Sequence, residues 1–193
     1  MTAVAIILAA GESRRMGRPK ALLPFRGGTF LSALAETLGA HCSPVVAVFG
    51  FDGENVKRAA PDTVVTLVNP DYRLGMLTSL QAGLRACPDT ADAVLFTLVD
   101  HPAVMPGTVA ALLEAGSDIA IPRYRGKRGH PVLVRRAIAL EYLAEPVTSK
   151  VRDVIDRHTD AIRYIDVEDA GICDDVDDPA LYEALLAREA VRT

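Results

Sequence analysis

Short apolar runs rich in valine and isoleucine alternate along this chain with segments of helical periodicity. Val4 to Leu8 (VAIIL) is apolar without interruption, the pattern of a strand buried on both faces. Val45 to Phe49, Thr63 to Asn69 and Ala93 to Val99 repeat that pattern. Between them, Leu31, Leu34, Ala35 and Leu38 recur at helical spacing in TFLSALAETLGA, with Gly39 as a stop signal. SLQAGLRA and GTVAALLEAG read as further helices. DIAIP and PVLV read as strands on either side of a polar loop, RYRGKRGH. The remainder holds two more helical patterns, a strand from Ala161 to Val167, and an acidic turn before a last helix, PALYEALLAREAV.

Repeated strand–helix alternation predicts an α/β fold, a Rossmann-like three-layer αβα sandwich with a mostly parallel sheet. Ligands in such sheets bind beyond the carboxyl ends of the strands, so the loops after Leu8, Val99 and Val167 are the places to look. The chain has 193 residues, enough for one substantial core and short for two. With no repeat, low-complexity tract or linker, a single domain over residues 1–193 is expected.

Composition narrows the function classes. Half of the residues are apolar and 24% are charged, with a formal net charge of −4. A general nucleic-acid binder carries a basic surface, so no nucleic-acid partner is expected. MTAVAIILAAG has no basic leader, its apolar run from Ala3 to Ala10 is too short to span a membrane, and no other stretch approaches the roughly 18 apolar residues required. A soluble, cytoplasmic protein is expected. Cys42, Cys87 and Cys173 are widely spaced and form no C-x-x-C pair, which fits a reducing compartment and argues against a cysteine zinc site.

Against that acidic background the opening loop stands out. AIILAAGESRRMGRPKALLPF sets Arg14, Arg15, Arg18 and Lys20 among Gly11, Gly17 and Pro19, directly after a buried strand. Free backbone N–H groups, glycines and positive charge are what a phosphate-binding loop needs. Neither G-x-x-x-x-G-K-(S/T) nor G-x-G-x-x-G is present, so this is neither a Walker A loop nor a dinucleotide fingerprint. On charge alone, an exposed connector with solvated arginines is the competing reading.

Other candidates carry similar alternatives. Asp100 closes a buried strand and reads from its position either as a metal ligand at the sheet edge or as a solvated turn aspartate. In DDVDDP, Asp178 is the natural N-cap with Pro179 at the first helical position, while Asp174, Asp175 and Asp177 remain available. Gly75 and Ser79 stand at a loop-to-helix junction, where Thr78 or Ser79 equally reads as a plain N-cap. RYRGKRGHP, with Arg123, Arg125, Lys127, Arg128 and His130, reads as a holder for a second, anionic substrate or as a solvated hairpin tip. His41, His101 and His158 have no partners at ligand spacing and read as structural.

LAAGESRRMGRPK (Leu8 to Lys20) is similar to the signature L-(A/G)-(A/G)-G-x-S-x-R-M-G-x-x-K of the MobA-like nucleotidyltransferases. The molybdenum-cofactor cytidylyltransferase branch is the nearest match. NPDYRLGMLTSLQAGL, LVDHP, RGHPVL and DDVDDP continue the resemblance from end to end in the family's order. The resemblance implies a sheet of the nucleotide-diphospho-sugar transferase type. It implies that Leu8, Ala9, Ala10, Gly11 and Ser13 line the base and phosphates of a nucleotide, that Arg15 grips the phosphates, and that Lys20 sits by the reacting phosphate. Arg14 and Arg18 fall at variable positions. Gly75 and Ser79 would approach the base and ribose, and Arg128 and His130 the acceptor. Asp100 matches the family's metal-binding D-x-P. Asp177 aligns with the second metal position in D-(I/V)-D-T-P, ahead of Asp175, although Asp178 stands where that motif has threonine. A two-carboxylate site suits Mg2+ that keeps several waters. In the segment PVTSK, Thr148 stands where family members often carry an aspartate that helps to hold the pterin. Ala10, in place of glycine, resembles the branch that uses CTP rather than GTP.

The expected function is Mg2+-dependent transfer of CMP from CTP to the phosphate of molybdopterin, with release of pyrophosphate. Competing expectations are a sugar phosphate or an isoprenoid-precursor phosphate as acceptor, or GTP as donor. An oxidoreductase and a non-catalytic nucleotide-binding protein are rivals from other classes. The first lacks a dinucleotide fingerprint and a redox cysteine pair, and the second would not need Lys20 together with Asp100.

Overall fold

In the computed structural model, which describes residues 1–191, the apolar runs become strands and the periodic segments become helices. The order is β1 (Ala3–Ala9), β2 (Pro24–Phe25), β3 (Gly28–Thr29), α1 (Phe30–Gly39), β4 (Val45–Phe49), α2 (Gly53–Arg58), β5 (Val64–Val68) and α3 (Met76–Arg85). There follow β6 (Ala93–Leu98), α4 (Pro106–Leu113), β7 (Ile119–Tyr124), β8 (Lys127–Arg128), β9 (Val132–Arg135), α5 (Arg136–Ala144), α6 (Val151–Arg157), β10 (Ile162–Asp166) and α7 (Pro179–Ala190). No helix among the described residues is long and apolar enough to cross a membrane.

The main sheet runs β10-β7-β9-β6-β1-β4-β5, with β8 added to β7. β1 lies in its middle, parallel to β4 (Ile6 opposite Val46) and to β6 (Ile6 opposite Phe96). Its residues alternate between two cores, as a strand buried on both faces must. Ala3, Ala5 and Ile7 face α1, α4 and α7 with Phe30, Leu34, Val109 and Leu185. Val4, Ile6 and Leu8 face α3, α5 and α6 with Leu80, Ile138, Tyr142 and Val154. The three layers are therefore helix, sheet, helix, as the alternation implied.

Three local readings change. DIAIP and PVLV do more than flank a loop. They pair with each other antiparallel as β7 and β9 (Ala120 opposite Leu133), and β9 also runs antiparallel to β6 (Leu95 opposite Leu133). α3 begins at Met76, so neither Thr78 nor Ser79 is its N-cap. Both hydroxyls instead accept hydrogen bonds from Asn69 Nδ2, at 2.9 and 3.0 Å, which ties the end of β5 to the helix. The short helix α2 and the β2–β3 hairpin carry no clear periodicity and are not anticipated by it. Gly83 lets α3 settle on the sheet, because a Cβ there would lie 2.8 Å from Ile6 Cγ2.

The segment after β10 is anchored by one buried carboxylate. Asp169 is 1% exposed and accepts hydrogen bonds from Met105 N (2.9 Å), Thr108 Oγ1 (2.7 Å) and Gly171 N (2.9 Å). It joins the acidic turn to the start of α4. Asp169→Ala strands these donors away from water, which is expected to destabilise the protein by about 2–4 kcal/mol. For a chain of this length that lowers Tm by roughly 5–15 °C in a thermal melt, and an unchanged Tm would contradict the anchoring role.

Candidate active site

β1 and β6 end side by side, Leu8 opposite Leu98, so the opening loop and Asp100 leave the same carboxyl edge of the sheet. Val99 N donates to Leu8 O at 3.1 Å and keeps the two exits together. The opening loop then turns tightly. Ser13 has φ 48° and Gly17 φ 68°, and the amides of Met16 and Gly17 both donate to Ser13 O. Pro19 leads into a single 3-10 turn, Lys20–Leu22, whose buried Ala21 holds it against the core. That turn sends Lys20 back toward the end of β1.

Lys20 is 8% exposed and lies between two carboxylates. Its Nζ donates to Asp100 Oδ2 at 2.9 Å and to Asp177 Oδ1 at 2.5 Å. Arg15, itself exposed, donates to the other oxygen of Asp177. Burial works against the ammonium charge, but the bonds to Asp177 and Asp100 outweigh it and hold the Lys20 pKa above its ordinary value. The Lys20 bond in turn holds the Asp177 carboxyl below the usual carboxylate range.

The acidic turn divides its labour. Asp178 caps α7 by accepting from Leu181 N at 2.9 Å, with Pro179 in the first turn. Asp174 is taken by the guanidinium of Arg188. Val176 N donates to Asp100 O at 3.2 Å and fastens the turn to the end of β6. This leaves Asp175 and Asp177 beside Asp100, with ligand atoms from all three within 4.8 Å of one another. Asp175 is pushed up by burial and then by repulsion from Asp100 and Asp177. Asp100 Oδ1 is buried with no hydrogen-bond partner among the described residues. Hard oxygen donors and accumulated negative charge fit a small divalent cation.

Leu8, Ala9, Ala10, Gly11, Ser13, Lys20, Ser79, Asp100 and Asp177 line one cleft of about 350 Å³, together with Pro19, Tyr72 and Met76. Arg15 stands off its wall. Gly75 borders a second cleft of about 710 Å³, which Arg128, His130 and Thr148 also line and which shares Met76 with the first. Burial pushes the His130 imidazole down to about 4, so the ring is neutral near pH 7. Arg14 pairs with its neighbour Glu12 on the surface, in keeping with a solvated role.

His101, read above as structural, lies beside the carboxylate cluster. It is 5% exposed, its Nε2 lies 3.7 Å from Asp100 Oδ1, and its ring packs on His130 with centroids 4.8 Å apart. Its adjacency to Asp100 was visible in the chain, but the distant His130 ring was not.

A family model, the MobA-like NTP transferase domain, matches residues 5–162. The match ends before Asp175 and Asp177. The molybdenum cofactor cytidylyltransferase of Escherichia coli strain K12 is 31% identical over 180 residues, covering 90% of each chain. Nicotine blue oxidoreductase of Paenarthrobacter nicotinovorans is 39% identical over 142 residues, covering 67% of this chain and 69% of that one. The crystal structure of Rv0371c from Mycobacterium tuberculosis H37Rv in complex with manganese superposes with a TM-score of 0.80 at 26% identity, covering 97% of this chain and 99% of that one. By sequence and by fold, the chain belongs to the MobA-like NTP transferase family and is a nucleotidyltransferase.

Proposed function

We propose that the protein transfers CMP from CTP to the phosphate of molybdopterin with the help of Mg2+, releasing pyrophosphate, in the cytoplasm. The observation that carries this reading is the convergence of Lys20, Asp100 and Asp177 in a cleft that Leu8 to Gly11 also line.

Joining two phosphates is chiefly a problem of charge and alignment. The opening loop supplies backbone N–H groups and positive charge for the triphosphate. Lys20 offers a point charge from within the cleft wall, and Arg15 a planar guanidinium able to clasp phosphate oxygens once it leaves Asp177. The methyl group of Ala10 narrows the space beside the base and favours CTP. Asp100 and Asp177, with Asp175 adjacent, would hold the metal. When bound, Mg2+ supplies charge neutralisation for the phosphates and the departing pyrophosphate. The acceptor sits in the second cleft, where Arg128 contributes a cation and the neutral His130 a wall. Its phosphate is already anionic and attacks the α-phosphorus in line, so no general base is needed.

Thr148 in the wall of the second cleft favours one further reading. In the place of the family's aspartate, a hydroxyl offers weaker recognition of a pterin, so another phosphorylated acceptor, a sugar phosphate or an isoprenoid-precursor phosphate, is the second choice.

With Mg2+ present, CTP should raise Tm more than GTP, ATP or UTP at equal concentration in a thermal-shift screen. Pyrophosphate should then appear from CTP only when molybdopterin is added. Its appearance with another phosphate acceptor instead would move the assignment to the second reading, and its absence with every pair would refute catalysis.

Lys20→Ala and Asp100→Ala should each lower turnover at least about a hundredfold, the scale of one lost transition-state charge contact. Turnover within a few-fold of wild type in either variant would refute the site. Lys20→Ala also removes the counterion between Asp100 and Asp177. Mg2+ without nucleotide should therefore raise the Tm of that variant more than that of the wild type. An equal shift in both proteins would mean that these carboxylates do not attract the cation.

A further inference from the structure

Asp100 has two oxygens with different surroundings. Oδ2 is bonded to Lys20 Nζ, whereas Oδ1 is buried and unpartnered among the described residues. The side-chain nitrogen facing Oδ1 is His101 Nε2, 3.7 Å away and just outside hydrogen-bond range. A buried carboxylate oxygen without a donor is unfavourable, and buried polar atoms in folded proteins are nearly always paired. Carboxylates that ligate metals are in turn oriented by hydrogen bonds from a neighbouring side chain.

We propose that His101 is a positioning residue for Asp100. Its Nε2–H donates to Oδ1 when the site is loaded, fixing the rotation of the carboxylate so that the other oxygen is presented to the metal. The inference rests on the reading of Asp100 as a metal ligand. Two features suit His101 to this role. The ring is 5% exposed and packs against His130, with centroids 4.8 Å apart and planes tilted by 41°, so it has little freedom to turn away. His101 Nδ1 is buried and meets no hydrogen-bond partner among the described residues, so a proton placed there finds no acceptor, whereas one on Nε2 faces Oδ1.

The same arrangement gives His130 a second consequence. His130 lines the second cleft while its ring supports His101, so the wall of one cleft and the orientation of the metal-binding carboxylate of the other share a packed pair.

The test is Mn2+ binding in the presence of CTP, with bound metal counted from loss of the free-ion electron paramagnetic resonance signal against a CTP-only blank. Wild type, Asp100→Ala, His101→Leu and His101→Gln are compared, with circular dichroism to establish folding. Leucine keeps the bulk and removes the donor, whereas the glutamine amide puts an N–H close to the place of Nε2. His101→Leu is expected to bind Mn2+ about 10–100-fold more weakly, and His101→Gln within about threefold of wild type. Wild-type affinity in a folded His101→Leu overturns the proposal, provided that Asp100→Ala loses binding. Unchanged binding in Asp100→Ala instead overturns the metal reading beneath it. If His101→Leu does not fold, the glutamine variant decides: near-wild-type affinity supports the donor role, and a tenfold loss in a folded His101→Gln overturns it.

Discussion

The site is organised around one buried ammonium. Lys20 sits where an isolated charge would be strongly disfavoured, and it remains charged because Asp100 and Asp177 both bond to it. Those partners lie 80 and 157 residues away in the chain. One ion-paired cluster thus ties the opening loop, the end of β6 and the turn before α7 to the same spot. The balance of charge there is uneven. Asp177 is shared between Lys20 and Arg15, Asp100 has one oxygen unpaired, and Asp175 is disfavoured by both neighbours. A cluster with more carboxylate than cation, lining a cleft, favours added positive charge.

Sheet order makes this convergence possible. Because β1 is central and β6 is its neighbour, the loops that follow them emerge together, and the turn after β10 reaches the same edge by fastening to Asp100 through Val176. Asp169 sets the start of that turn and Asp178 its end, so the intervening acidic residues are held between two anchored points.

The parts of the fold legible in the chain are those whose burial is two-sided. Val4 to Leu8 has to be a central strand, because nothing else hides five consecutive apolar residues next to a charged loop. Direction is another matter. Val132 to Val134 is apolar whichever way it runs; the short RYRGKRGH connection turns it back antiparallel on β7, while its antiparallel pairing with the distant β6 is revealed only in the folded chain. The start of α3 was hidden because Gly75 and Met76 look like loop, while Asn69 takes the hydroxyls that resemble caps. In the site, Asp100 and Lys20 were legible through their motif. The packing of His101 was not, since it depends on a ring 29 positions further along the chain that only the β7–β9 hairpin brings home.

The two clefts differ in how much of their chemistry a sequence can carry. The first is lined by the opening loop, with Lys20 from a single signature and its two carboxylate partners, so most of its polar groups come from one short stretch of chain. The second draws its wall from widely separated places, among them Gly75 before α3, Phe96 on β6, Ile121 on β7, Arg128 on β8, His130 before β9, and the segment from Thr148 into α6. None of those side chains alone names a ligand. Only their combination can, through shape and a few polar groups, and Thr148 lines this cleft without lining the one that holds Lys20. On the proposed reading, the donor half of the reaction is therefore written in the opening loop, and the acceptor half is scattered along the chain.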